Sequence, residues 1–164
     1  MKIPVFLSCP THLSASQEES RDLIAGLLDE LNLEPRALGR SDYPTELPLR
    51  EVLVIAKHSA GGMILGFNQF TARGGVFKPG SASEKKTSDQ MFFPTAWNHL
   101  EAGILFSLGR PLMVFREPGI SGGVFDHGVA DVFVNEMPTS ATKKANLREA
   151  MLKWRDRVGA EYYR

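Results

Sequence analysis

Residues 95–115 read Thr-Ala-Trp-Asn-His-Leu-Glu-Ala-Gly-Ile-Leu-Phe-Ser-Leu-Gly-Arg-Pro-Leu-Met-Val-Phe. Thr95 is a residue type that caps helix N-termini, Gly109 is a stop signal, and Pro111 cannot extend a helix. The stretch therefore predicts a helix from about Thr95 to Leu108. Pro111 to Phe115 is a short apolar run that reads as a buried strand. A helix feeding at once into a buried strand is half of a βαβ unit, and the rest of the chain supplies further halves.

Toward the N-terminus, Ile3 to Leu7 is an apolar run ending in Ser8-Cys9-Pro10-Thr11, a strand followed by a loop. Ser16-Gln17-Glu18-Glu19 has the capping-box spacing, and Leu23, Ile24, Leu27, Leu28 and Leu31 follow at helical intervals. Pro35 is expected to stop that helix, with a second short strand over Arg36-Ala37-Leu38 and a loop from Gly39 to Pro48. Leu49 to His58 suits a helix, and Gly61 to Phe67 a strand. Thr71 to Gln90, which carries Gly74, Gly75, Pro79 and Gly80, reads as a long loop, either a plain surface segment or a lid. Toward the C-terminus, Asp131 to Val134 reads as a fourth clear strand and Ala141 to Tyr162 as a closing helix. Strands alternating with helices imply a mostly parallel sheet with helices on both faces. Ligands bind such sheets beyond the carboxyl ends of the strands. The loops at Ser8–Thr11, Asn68–Gln90 and Arg116–Gly123 all follow strands and are expected to share that rim.

A chain of 164 residues fits one domain, 1–164, able to bury a core without disulfides or metals. Cys9 is the only cysteine, so an internal disulfide is excluded and a reducing compartment is expected. Lys plus Arg and Asp plus Glu both number 19, which argues against nucleic-acid binding driven by global charge. No apolar run approaches the roughly 18 residues that span a bilayer. The N-terminus lacks the form of a signal peptide. A cytoplasmic protein without membrane or direct nucleic-acid partners is expected.

Within the helix after Thr95, the residues Trp97, Leu100, Ile104, Leu105 and Leu108 define one expected buried stripe. Glu101 lies on or beside that stripe. A carboxylate there is costly unless it is paired, protonated or used chemically. From spacing alone two readings stay open, a structural ion pair or hydrogen bond, and a functional carboxylate.

The motif Trp97-Asn98-His99-Leu100-Glu101 resembles the Trp-x-x-x-Glu element of Toll/interleukin-receptor (TIR) domains. Val5-Phe6-Leu7-Ser8 resembles their first strand. Arg40-Ser41-Asp42-Tyr43-Pro44 occupies the place of the loop after their second strand, and Ala56-Lys57-His58-Ser59 the turn before their third. Leu108-Gly109-Arg110-Pro111-Leu112-Met113-Val114-Phe115 is similar to a stretch of the related nucleoside 2-deoxyribosyltransferases. The resemblance implies a flavodoxin-like, three-layer α/β fold with about five strands. It also implies cleavage of the bond between a ribose anomeric carbon and a nitrogen base. A carboxylate would stabilise the oxocarbenium-like transition state or attack it. On this resemblance Glu101 is the catalytic residue, with Trp97, Phe70 and the residues at Ser8 and Cys9 binding substrate; Arg116, at a strand end on the rim, reads either as a substrate phosphate contact or as a rim salt bridge. The resemblance further implies NAD as substrate, a nucleotide taken as reactant with no separate cofactor, and assembly as a homo-oligomer of the kind linked to bacterial defence. Two alternatives remain, a deoxyribosyltransferase or hydrolase of nucleosides or nucleotides, and a TIR-type module that binds or assembles without turnover. The TIR cysteine is replaced by Asn98, and the loop after the first strand is Cys9-Pro10-Thr11-His12.

Other signals fail on chemistry. Gly75 and Gly80 have P-loop spacing, but Ser81-Ala82 stands where Lys-Ser/Thr is required. Gly119-Ile120-Ser121-Gly122-Gly123 reads as a plain loop, and no dinucleotide-binding glycine pattern follows the first strand. His12, His58, His99 and His127 lack metal-ligand spacing. Cys9 reads as a small packed residue, and the basic residues of the last helix as a solvated face.

Overall fold

The computed structural model describes residues 1–40, 42, 47–128 and 132–164. Among the described residues seven strands and four helices run in the order β1 (Ile3–Ser8), α1 (Ala15–Glu30), β2 (Leu33–Arg36), α2 (Pro48–Lys57), β3 (Gly62–Gly66), β4 (Phe70–Phe77), β5 (Lys85–Phe93), α3 (Ala96–Ser107), β6 (Leu112–Arg116), β7 (Phe133–Glu136) and α4 (Lys144–Tyr162), with a 3-10 turn at Gly123–Phe125. Five strands form one parallel sheet in the order β2-β1-β3-β6-β7, while β4 and β5 pair only with each other. Setting the β4–β5 hairpin aside, this is the 2-1-3-4-5 order of a flavodoxin-like fold.

Strand pleating divides the core. Val5, Leu7, Met63, Leu65, Met113 and Phe115 face α1 and α4, where Ile24, Leu27, Leu28, Met151 and Val158 meet them. Phe6, Ile64 and Val114 point the other way, onto Val52, Ile55 and Ala56 of α2 and Ala102 and Leu105 of α3. The central strands are buried on both faces, as a parallel sheet between helical layers requires. Each fully buried Leu, Ile or Phe contributes roughly 1.5–3 kcal/mol of transfer free energy. No described helix is long and apolar enough to cross a membrane.

Several local expectations shift. Helix α1 begins two residues earlier than the capping-box spacing indicated: Ser14 Oγ accepts the Gln17 N–H at 3.3 Å, and Gln17 Oε1 accepts the Ser14 N–H at 3.0 Å. Two overlapping Ser-x-x-Glx frames exist. The earlier one wins because Gln17 Nε2 also reaches the carbonyl of Asn68 and the carboxylate of Glu117. Asn32, at φ +58°, ends the helix before Pro35 is reached. Pro35 lies inside β2, which runs Leu33–Arg36 rather than Arg36–Leu38. A proline is tolerated there because β2 is an edge strand.

The larger correction is 71–90. It is a β-hairpin, with a register shift between Arg73 and Gly75, and not a loop. The glycine pair broke the alternation by which a strand is recognised. Strand β7 starts at Phe133; the predicted start, Asp131, lies outside the described residues, as do Ser41, Tyr43 and Pro44 of the TIR-like loop. Helix α4 begins at Lys144, three residues after the predicted Ala141.

Candidate active site

In this sheet the strand order reverses between β1 and β3, so the crevice opens where the chain leaves those two strands. A cleft of about 360 Å³ lies there. The loop after β1 (Cys9, Pro10, Thr11 and His12) forms one wall, with Leu38 and Gly39 after β2, Pro48 at the start of α2 and Gln69 after β3. Thr95, Trp97 and Glu101 of α3 complete it.

Helix α3 enters this cleft because Thr95 caps it, its hydroxyl accepting the Trp97 N–H at 3.3 Å. The buried stripe of the helix is Asn98, Glu101, Ala102 and Leu105; Trp97 and Leu100 are 42% and 43% exposed. The expected stripe was thus rotated, because α3 is apolar on both sides and counting apolar residues could not choose between them. Asn98 and Glu101, one turn apart, both turn toward Ser8 at the end of β1. Asn98 Nδ2 donates to Ser8 Oγ at 2.7 Å and approaches the Ser8 carbonyl at 3.5 Å. The Ser8 hydroxyl stands beside the Glu101 carboxyl, where its proton favours the charged form.

Glu101 is 7% exposed. Burial raises its pKa from 4.5 to about 7, and the Ser8 hydrogen bond opposes that rise. Its position in the second helical turn is beyond the strong reach of the helix N-terminal N–H groups, so Ser8 rather than the helix dipole favours the charged form. A carboxyl with this pKa supplies both its acid and its base form near neutrality.

The wall opposite α3 is clamped by Arg40. Its guanidinium donates to the carbonyls of Pro10 at 2.9 Å and Thr11 at 3.1 Å, and to Glu18 at 2.9 Å. The bond from Arg40 is the main reason the Glu18 carboxyl sits below its usual pKa. Gly39 makes the close approach possible: it has φ +77°, and a Cβ there would lie 2.8 Å from Thr11 Cγ2. On the third side, Glu117 accepts the Asn68 N–H at 2.6 Å and the Gln17 side chain at 2.9 Å, which ties the root of the β4–β5 hairpin to α1.

Of the residues read from sequence, Ser8, Cys9, Trp97 and Glu101 come together. Ser8 lies behind Glu101, and the other three line the cleft. The Cys9 thiol is pushed up to about 11 by burial, which keeps it protonated and poorly nucleophilic. Phe70 and Arg116 do not join them. Phe70 is 65% exposed at the hairpin root, tilted against Phe93 with ring centroids 6.2 Å apart. Arg116 donates to the backbone carbonyls of Ile120 and Phe125, so its charge serves the loop after β6. Sequence reasoning missed Asn98, Arg40 and Gln69. Asn98 stands three residues before Glu101, and that spacing was the available signal. Among the described residues no group of three or more His, Cys, Asp or Glu side chains could hold a metal.

No family model matches the sequence. No curated protein matches it either. The fold is similar to that of the CMP N-glycosidase BcmB from Clostridium botulinum, with a TM-score of 0.53 over 92% of this chain and 98% of that one, at 10% identity. A second solved structure, the Flv1 flavodiiron core from Synechocystis sp. PCC6803, aligns with a TM-score of 0.42 at 11% identity over 98% of this chain and 36% of that one, too low to carry an argument. At these identities the likeness to BcmB is one of fold.

Proposed function

We propose that the chain is an N-glycosidase that breaks the bond between a ribose anomeric carbon and a nitrogen base, with Glu101 as the catalytic carboxylate and NAD as the substrate. The observation that carries this reading is a single buried carboxyl in the wall of a cleft at the sheet's switch point, with the Ser8 hydroxyl beside it. As the carbon–nitrogen bond breaks, its electron pair leaves with the base and positive charge grows on the sugar. The ionised carboxylate either stabilises that charge or forms a glycosyl ester. Water then adds at the anomeric carbon and gives up a proton, which Glu101 can accept.

Nicotinamide suits this cleft because it departs from NAD without being protonated. The titratable groups lining the cleft among the described residues are Glu101, Cys9 and His12, and the thiol is a weak acid. A volume of about 360 Å³ is near the small end for ligand pockets. It suits one sugar and its base, with the rest of a dinucleotide extending past Gln69 and His12. NAD is then a substrate, not a resident cofactor, and the active form is a homo-oligomer. A second reading takes a pyrimidine nucleotide as substrate. It is favoured by the similarity of fold to a CMP N-glycosidase, and it requires a proton for the leaving base, for which His12 in the cleft wall is the candidate donor.

The test is incubation at high protein concentration with NAD, and separately with CMP and deoxynucleosides, followed by chromatography. Nicotinamide release that is lost in Glu101→Ala supports the first reading; free cytosine supports the second. Release that persists in Glu101→Ala overturns both.

A further inference from the structure

Asn98 is fully buried, yet its Oδ1 has no hydrogen-bond partner among the described residues. An orphaned buried acceptor lowers stability, and on the buried side that Asn98 shares with Ala102 and Leu105 an apolar side chain would avoid that loss. What the amide gains is its contact with Ser8. Its orientation follows from that contact. Reversed, the amide would set Oδ1 against the Ser8 carbonyl and leave both of its N–H donors unpaired instead of one acceptor. With Nδ2 facing Ser8 Oγ, one lone pair of that oxygen is occupied. The single Ser8 proton is then free for the carboxylate.

We propose that Asn98 is a positioning residue for the cleft carboxylate: its amide, by donating to Ser8 Oγ, turns the Ser8 hydroxyl proton onto Glu101 and fixes how that carboxylate faces the cleft. The kinetic consequence rests on the N-glycosidase reading; the hydrogen-bond chain does not. Without Asn98 the Ser8 hydroxyl rotates to other acceptors, the carboxylate loses its donor, and burial acts on it unopposed.

Other charged groups around α3 are differently placed. Strands β1 and β3 contribute no charged side chain. Across the cleft stand Cys9 and His12, with Arg40 and Glu18 paired behind their loop. Helix α2 carries Arg50, Glu51 and Lys57, and Arg50 is exposed. Arg116 of β6 is held on carbonyls, Asp126 accepts the Gly122 N–H, and His99 stacks edge-on against Phe125. Apart from burial, Ser8 is the group that acts on the Glu101 carboxyl, so a change in its orientation is read directly there.

The test is a carboxyl titration by NMR of substrate-free protein labelled with ¹³C at glutamate Cδ, with Glu101→Gln to assign the signal. Ser8→Ala and Asn98→Ala are each expected to raise the Glu101 midpoint by on the order of one pH unit. The double variant is expected to shift no further than Ser8→Ala alone, because Asn98 acts through Ser8. Asn98→Leu, similar in volume and without a polar atom to bury, replaces Asn98→Ala if that variant does not fold. An unmoved midpoint in the Asn98 variant, or shifts that add in the double variant, overturns the proposal. In active protein the acid limb of kcat/KM moves upward by the same amount, whereas a merely structural role lowers activity equally at all pH. If the protein cleaves no glycosidic bond, the titration still decides the role of Asn98, so the two failures are distinguishable.

Discussion

Helix α1 buries Ile24, Leu27 and Leu28 against the sheet and leaves its carboxylates at the surface, on Arg21, Arg40, Lys2 and Lys144 or in solvent. Helix α3, on the opposite face, buries Asn98 and Glu101 while Trp97, Leu100 and Phe106 stay exposed. The two helices pack on one sheet and differ in what they surrender. In α1 the buried side is mostly the apolar one, with Leu23 exposed and Ser20 buried as the exceptions. In α3 burial opposes the pattern, and the two polar residues that it buries both turn toward Ser8. Local conflicts of this kind concentrate where a protein uses a site, because stability is given up there for chemistry.

The largest expected effect tests whether α3's buried polar face is functional at all. Glu101→Gln keeps shape and hydrogen-bonding capacity but removes the charge that would stabilise an oxocarbenium ion. Under the glycosidase reading it lowers kcat by about 10³-fold or more, measured as base release at saturating substrate. Leu27→Ala in α1 supplies the opposite control. It empties a fully buried site and is expected to cost about 3 kcal/mol in chemical denaturation, with little change in kcat for the protein that remains folded. If Leu27→Ala damages turnover as specifically as Glu101→Gln, the division of labour between the helices is broken.

A third effect shows α3's cost directly. The Glu101 pKa is about 7 in the folded protein against 4.5 for an unperturbed glutamate. Below pH 4.5 the group is protonated in both states and imposes no penalty. As pH rises toward 7 the unfolded chain ionises it first, so stability falls, and above 7 the full penalty is present. The difference amounts to about 3 kcal/mol between pH 4 and pH 8. Other carboxylates, Glu18 among them, act in the opposite sense at lower pH. The contribution is therefore read as wild type minus Glu101→Gln in urea midpoints across that range. A constant difference would mean that Glu101 is not held protonated by burial.

The comparison also explains what could be read from the sequence. The sheet, its flanking helices and the cap at Thr95 were legible because strand runs and stop signals are local. Glu101 was legible because a carboxylate near an apolar stripe is conspicuous. The stripe itself was misjudged: α3 offers two apolar sides, and only tertiary contacts, with Phe6, Ile64 and Val114 of the sheet and with α2, select Ala102 and Leu105. Asn98 and Arg40 escaped for a related reason. Their partners, Ser8 and the carbonyls of Pro10 and Thr11, are remote in sequence. The hairpin at Phe70–Phe93 was hidden because Gly74 and Gly75 interrupt its alternation at the bulge. Phe70 and Arg116 were placed on the correct rim, but a rim assignment fixes a neighbourhood and not a direction.

The smallest of these effects concerns the exposed side of α3. Trp97 is 42% exposed while also lining the cleft, so its indole is a wall and not a core side chain. A half-exposed aromatic gains less from folding than a buried one, and Trp97→Ala is expected to cost under about 1 kcal/mol of stability. A flat aromatic surface at the mouth of a cleft binds a planar base equally in the ground and transition states. Its loss should therefore raise KM by about 10-fold and leave kcat nearly unchanged, the signature of uniform binding. A drop in kcat without a change in KM would instead place Trp97 behind Glu101 as a support for the carboxylate. A loss of several kcal/mol in stability would return it to the core. Either result would erase the contrast between the helices at the position where α3 was first misread.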